Sequence, residues 1–280
     1  MPELPEVELT REKLGRWLAG KRVDRVRIPD ARTRRGQSET AIRGAIEGRT
    51  LRTIHRRGKF IRITFAGPGP ALLNHLGMTG RWRRVADGAG DPPAARAALE
   101  TDAGFRAVFL DVRRFGHCSL LLPADSERLA RLGPEPLGRG FTAKMLGRLC
   151  AGSGRPVKVL LMDQDRIAGI GNIQATESLW RAGIHPHRPA RDLGPGEVVR
   201  LHRAVRRTIR TTLREARGVE LVYVSEGARG RKSADSRFRV YGKAGSLCPR
   251  CVQEPVVRTV QAGRSSFHCP RCQAALESPC

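Results

Sequence analysis

Pro2 and Glu3 open the part of the chain most able to do chemistry, within Met1-Pro2-Glu3-Leu4-Pro5-Glu6. A small residue after the initiator permits removal of Met1, which leaves Pro2 with a free secondary amine. An α-amino group has a pKa of about 7.7–8.0, so a fair fraction carries a lone pair at neutral pH. Attack by such an amine on an aldehyde-like carbon gives a charged iminium, an electron sink. Glu3 sets a carboxyl beside it that can move protons. The same residues also suit an ordinary exposed chain start, so these six alone leave both readings open.

A second group is metal-ligating. Cys248-x-x-Cys251 and Cys269-x-x-Cys272 have the spacing of a zinc ribbon. Each short turn offers two thiolates to one side of a cation, and two turns close a tetrahedral shell. The expected cofactor is one structural Zn²⁺; two disulfides or a redox pair are the alternatives. Cys118, Cys150 and Cys280 are scattered and read as reduced thiols.

The chain around these groups has 280 residues, with 52 lysines and arginines against 27 acids, a net charge of +25. Forty per cent of it is hydrophobic, so it can bury a core and is not a disordered basic tail. Such charge favours a polyanion through steering and counterion release. Nucleic acid is the leading partner and an anionic membrane surface the minor one. No run of about 18 apolar residues is present, and the acidic start is unlike a signal peptide. A soluble, intracellular protein is expected.

The elements that must position the chemistry follow in order. Pro5 to about Ala19 reads as a helix, with Val7, Leu14, Trp17 and Leu18 on one stripe and Gly20 to end it. Strands are expected at 22–28, 50–55, 59–65, 71–76, 81–85, 105–110 and 117–122, with 87–98 as a surface loop. That is an all-β body behind one leading helix, most simply a two-layer sandwich. Three places on it suit DNA: Lys59, at the start of a strand; Met78, at the tip of a Gly-flanked turn; and Arg113 with Phe115 on a second turn. An apolar wedge and an arginine can fill the gap left by an extruded base. Met78 and Phe115 equally suit a core, and Lys59 and Arg113 a solvated surface. After Gly133-Pro134-Glu135-Pro136 the pattern turns helical, at 142–151, 155–161, 173–183 and 197–217. The turn at 168–172 enters a helix whose amides suit a phosphate. The polar stretch Ser225–Asp235 reads as a mobile loop.

Taken in order, Pro2-Glu3-Leu4-Pro5-Glu6-Val7-Glu8, Arg57-Gly58-Lys59-Phe60, His75-Leu76-Gly77-Met78-Thr79-Gly80, Arg113-Arg114-Phe115-Gly116, Leu161-Met162-Asp163-Gln164 with Gly169-Ile170-Gly171-Asn172-Ile173, and Gly263-Arg264-Ser265-Ser266-Phe267 resemble the formamidopyrimidine-DNA glycosylase family, which includes endonuclease VIII. The resemblance covers nearly the whole chain. It implies an α+β protein with three parts: a catalytic β-sandwich at 1–133, a helix–two-turn–helix domain at 134–240 and a zinc finger at 241–280. By position, Pro2 resembles the nucleophile, Glu3 the acid/base partner and Lys59 a phosphate-binding lysine. Met78, Arg113 and Phe115 resemble the residues that fill the vacated stack. Lys158, Asn172 and Arg264 resemble a phosphate clamp, and Glu6 and Glu177 match acidic positions near the lesion pocket, although ordinary ion-pair roles suit both equally.

The implied activity is removal of oxidised purines from double-stranded DNA, with strand cleavage at the resulting abasic site, by a cytoplasmic monomer. Two departures from the family pattern bear on the substrate. Gln174 replaces a tyrosine, and Gly218–Arg239 lacks the usual start and carries Gly227-Ala228-Arg229-Gly230-Arg231-Lys232. The alternatives are the same chemistry on another base, such as an oxidised pyrimidine, and a DNA-binding module in which Met1 blocks Pro2.

Overall fold

The computed structural model describes residues 2–217 and 238–275. It divides into two compact units, Met1–Arg131 and Leu132–Cys280.

The first unit begins with helix α1, Leu4–Leu18. Pro5 in its first turn pre-sets the backbone, and the Glu6 side chain accepts from the Glu3 amide at the helix start. Eight antiparallel strands follow: β1 Val23–Arg27, β2 Leu51–Arg57, β3 Phe60–Phe65, β4 Leu72–His75, β5 Arg81–Ala86, β6 Ala95–Thr101, β7 Phe105–Leu110 and β8 His117–Leu120. They form two four-stranded sheets, ordered β1-β6-β7-β5 and β2-β3-β4-β8. Val26, Leu99 and Phe109 from one sheet pack with Ile54, Ile63 and Leu72 from the other, and Leu14 and Leu18 of α1 complete the core.

The unit corrects the sequence reading at two points. The stretch expected to be loop at 87–98 ends in β6, which pairs with both β1 and β7. Its Ala-Arg-Ala-Ala core has weak strand propensity, and the sheet on either side overrides it. The body is also not all-β behind one helix, because α2 Glu39–Ile46 and α3 Pro123–Arg131 belong to it. In α2, Ser38 accepts from the Ala41 amide at 3.3 Å, and Ile42 and Ile46, one turn apart, enter the core.

The second unit holds α4 Ala143–Ala151, α5 Val157–Met162, α6 Asn172–Ala182 and α7 Pro195–Ala216, then a hairpin of β9 Val257–Gln261 and β10 Arg264–His268. Thr142 caps α4, and Gly183, at φ 71°, ends α6 in a left-handed turn. The apolar stripe of α7, Val198, Leu201, Val205 and Ile209, is buried as its spacing requires. Trp180 of α6 packs with Val240, Val256 and Phe267 around the cysteines. The Ser225–Asp235 stretch lies outside the described residues. Among those described, no helix is long and apolar enough to cross a membrane.

Candidate active site and nucleic-acid contacts

Pro2, Glu3 and Glu6 are all buried at the N-terminal end of α1. The Glu3 amide donates to Glu6 Oε2 at 2.8 Å. Burial of the Glu6 carboxyl, with the charge of Glu3 beside it, raises its pKa from 4.5 to about 7. A carboxyl tuned to neutrality can exchange a proton at working pH. The end of the chain expected to carry the amine is therefore already lined by two acids.

The turn that carries Lys59 is tied to α1. Arg56 donates through Nε to Glu8 Oε2 at 2.7 Å and through Nη1 to the Gly58 carbonyl at 2.9 Å. Arg11 holds the other oxygen of Glu8, and both arginines keep the Glu8 carboxyl below its ordinary value despite burial. Glu8 thus fixes where the β2–β3 turn presents the half-buried Lys59. His75 lies nearby. Burial and the charges of His117, Lys59 and Arg128 depress its pKa to about 3. Its Nδ1 accepts from the Gly77 amide at 3.1 Å, so Nε2 carries the ring proton.

Met78, Arg113 and Phe115 sit on two loops joined through Asp111. The Thr79 hydroxyl donates to Asp111 Oδ1, the Arg113 amide donates to Thr79 Oγ1 at 3.1 Å, and the Gly116 amide donates to Asp111 Oδ2 at 2.7 Å. The loops touch backbone to backbone: a Cβ on Gly77, at φ 60°, would lie 2.3 Å from the Gly116 nitrogen. Only glycine serves there, both for its conformation and for that approach. Phe115 is 58% exposed rather than core, Met78 is half-buried, and the Arg113 guanidinium lies 5.1 Å from the centre of the Phe115 ring. An apolar surface of this size held out by a rigid loop suits insertion between bases.

In the second unit, Gln164 shapes the turn before α6. It accepts from the Gly169 amide at 2.9 Å and donates to the Met162 and Ile170 carbonyls, each at 2.8 Å. Asn172 is the first residue of α6, and its Nδ2 donates to the Ser265 carbonyl at 3.0 Å. Arg264 is exposed at the start of β10. Lys158 has no exposed surface; its ammonium donates to the Ser265 carbonyl at 2.9 Å and to Ser266 Oγ at 2.6 Å. It therefore braces the hairpin that carries Arg264. Glu177 is also buried, and its carboxylate accepts from the amides of Arg239, Val240 and Tyr241 at 2.9–3.0 Å. It anchors the backbone of Arg239–Tyr241.

Cys248, Cys251, Cys269 and Cys272 bring their sulfurs within 4.8 Å of one another. The edges from Cys248 to Cys272 and from Cys251 to Cys269 measure 3.9 and 3.7 Å. A tetrahedron with metal–sulfur bonds of about 2.3 Å has edges of roughly 3.8 Å. The amides of Arg250 and Cys272 point at sulfurs, as does the Trp180 indole N–H, and such donors stabilise thiolates. The four cysteines could hold one metal ion.

Sequence reasoning missed the roles of Glu8, Asp111 and Gln164. Glu8 and Gln164 lay inside motifs it quoted, but their partners are set by the fold. Asp111 precedes the Arg113 motif, and an acid so close to two arginines gave no signal of its own.

Residues 1–118 match the formamidopyrimidine-DNA glycosylase N-terminal domain, and residues 132–222 match the H2TH domain of the same enzymes. The chain is 37% identical over 278 residues to the formamidopyrimidine-DNA glycosylase of Geobacillus kaustophilus, covering 98% of this chain and all of that one. It is 40% identical over 283 residues to that of Thermus thermophilus, covering 98% of each. The Lactococcus lactis enzyme bound to DNA containing an abasic site superposes with a TM-score of 0.86 at 27% identity, over 98% of this chain and 100% of that one. The same enzyme with DNA containing an oxidised pyrimidine gives 0.85 at 27% identity, with the same coverage. The chain belongs to the formamidopyrimidine-DNA glycosylase family.

Proposed function

We propose that this chain removes oxidised purines, including 8-oxoguanine and formamidopyrimidines, from double-stranded DNA and then cuts the strand. The observation that carries the reading is the buried pair Glu3 and Glu6 against Pro2, with Glu6 raised to about 7. After loss of Met1, the Pro2 nitrogen attacks the anomeric carbon of the flipped nucleoside. The C–N bond to the base breaks, and the base leaves with a proton delivered by Glu3. The C1′–O4′ bond then breaks, the ring oxygen takes a proton and the adduct becomes an open-chain iminium; this acidifies the adjacent sugar carbon, so elimination expels first the 3′ and then the 5′ phosphate. Lys59, Asn172 and Arg264 hold backbone phosphates. Lys158 contributes by holding the hairpin. Met78, Arg113 and Phe115 fill the vacated stack, and Glu6 belongs to the lesion pocket. Glu177, which the resemblance set near that pocket, serves it by anchoring Arg239–Tyr241.

The four-cysteine site takes one Zn²⁺. Four thiolates leave it no open position, so its contribution is structural. The parts proposed are the sandwich at 1–133, the helical domain at 134–240 and the finger at 241–280, acting as a cytoplasmic monomer without membrane attachment.

Borohydride trapping on an abasic duplex tests the nucleophile: the native chain forms a covalent adduct, and the Pro2→Gly variant keeps binding but traps and cleaves less, because its primary amine replaces the secondary one. Full strand cleavage by that variant refutes the assignment, and mature protein that retains Met1 favours the binding-module alternative. A second substrate reading is oxidised pyrimidines, left open by the departure from the family pattern at Gln174, whose side chain bonds Thr212 at 3.2 Å. The Lactococcus lactis complex with such DNA gives it a precedent. A panel of lesion duplexes separates the two.

A further inference from the structure

The outer face of α7 carries charge that the chemistry above does not use. Arg203, Arg207, Arg210 and Arg214 recur at steps of four, three and four residues. At about 100° per residue they fall within an arc of roughly 60°, and they extend about 16 Å along the axis. All four are exposed, and among the described residues none forms an ion pair or a side-chain hydrogen bond. With Arg181 and Arg239 they line a pocket of about 660 Å³ in which, among the described residues, the one acidic lining residue is Glu215. Burial, and repulsion from Arg207, Arg239 and Arg250, hold Arg181 below the ordinary arginine range.

A helix face built only for water sets acids and bases three or four residues apart. Here like charges stack instead, and that arrangement destabilises a helix until an anion neutralises it. The guanidinium fork matches phosphate oxygens. A line of about 16 Å exceeds any single phosphate and suits a run of them. Among the described residues no unoccupied aromatic ring lines the pocket to stack a base, since His202 packs on Phe141 and bonds its carbonyl. The surface therefore reads backbone and not sequence. It is also distinct from the phosphate contact at Asn172: that residue begins α6 and Arg181 stands in its last turn, about 13 Å along the same axis.

We propose that this arginine stripe holds the sugar–phosphate backbone of a second nucleic-acid segment, apart from the strand engaged at Asn172 and Arg264. The stripe is argued from the charge of α7, so it stands or falls independently of the chemistry proposed for Pro2.

The test uses the full chain and its R203Q/R207Q/R210Q/R214Q variant, with glutamine chosen to keep helix propensity. A control, R16Q/R25Q/R43Q/R52Q, removes the same charge from scattered exposed sites. Anisotropy of a labelled undamaged duplex is followed against salt. Each phosphate contact contributes about 0.9 to the slope of log affinity on log salt, so the stripe variant should lose roughly 2 to 4 of it and at least about tenfold in affinity at low salt. The control should lose less than half as much. Cleavage of a short abasic duplex should be unchanged in the stripe variant, and an immobilised abasic-analogue duplex should capture a second labelled duplex only through protein with an intact stripe. The proposal is overturned by an unchanged salt slope, by an equal loss in the control, or by failure of the native chain to capture the second duplex. It is also overturned if tripolyphosphate binding is lost in the stripe variant while duplex binding is not, which would make the occupant a small oligophosphate.

Discussion

Replacing Glu6 by glutamine should change how stability depends on pH. Burial and the adjacent Glu3 charge raise the Glu6 pKa from 4.5 to about 7, so the folded chain holds a proton that the unfolded chain has released. At about 1.4 kcal/mol per pK unit, the gap is worth about 3 kcal/mol. The group is fully buried, so solvent does not screen this. The sign follows from proton counts. Below about pH 4.5 both states are protonated and the contribution is fully present; it falls as pH rises toward 7 and is gone above it. Glutamine keeps an acceptor for the Glu3 amide and does not titrate. Urea unfolding of both proteins from pH 5.5 to 8 checks this, because titrating groups remote from Glu6 cancel in the difference. The native chain should lose about 2 kcal/mol relative to Glu6→Gln over that range. A difference constant with pH would refute the reasoning, because it would mean that Glu6 is ionised in the folded state throughout. If Glu6 also serves the reaction, strand cleavage by the native chain bends near pH 7 and that bend disappears in the variant.

Removing the Asp111 carboxylate by Asp111→Ala strands the Gly116 amide and the Thr79 hydroxyl. It should cost about 1–3 kcal/mol in denaturant midpoints and slow removal of a damaged base more than cleavage at a preformed abasic site. Glu177→Gln weakens the bonds to three backbone amides; it should lower stability by about 2 kcal/mol or more, with native kcat on an abasic duplex in the protein that stays folded. Chelation, or Cys269→Ser, should release one equivalent of metal by elemental analysis and reduce affinity for an abasic duplex about tenfold or more, because the hairpin carrying Arg264 loses its anchor.

The leading helix and the cysteine cluster are both legible in local spacing, and both are present in the fold. Leu4–Leu18 is a helix because its apolar stripe follows directly on Pro5 in the first turn, and the cysteines converge because each C-x-x-C turn places two sulfurs by itself. What the sequence concealed depends on distant partners. β6 was read as part of a loop because alanines pack as a strand only when β1 and β7 flank them. α2 shows no clear period in the sequence because only two of its eight residues, Ile42 and Ile46, are buried.

Charged residue types carry the same ambiguity into the site. Lys158 and Arg264 looked alike as phosphate-binding cations, yet one is sealed in the protein and the other stands in solvent. The difference lies in Ser265 and Ser266, more than a hundred residues beyond the lysine, whose carbonyl and hydroxyl meet its ammonium. A buried ammonium with those acceptors is best used as a strut, because moving it to a phosphate would strand both of them. Glu177 follows the same logic with opposite charge, since the amides that hold it lie more than sixty residues away. Charge thus identified the class of partner for the whole surface, while burial decided which charges remain available to it.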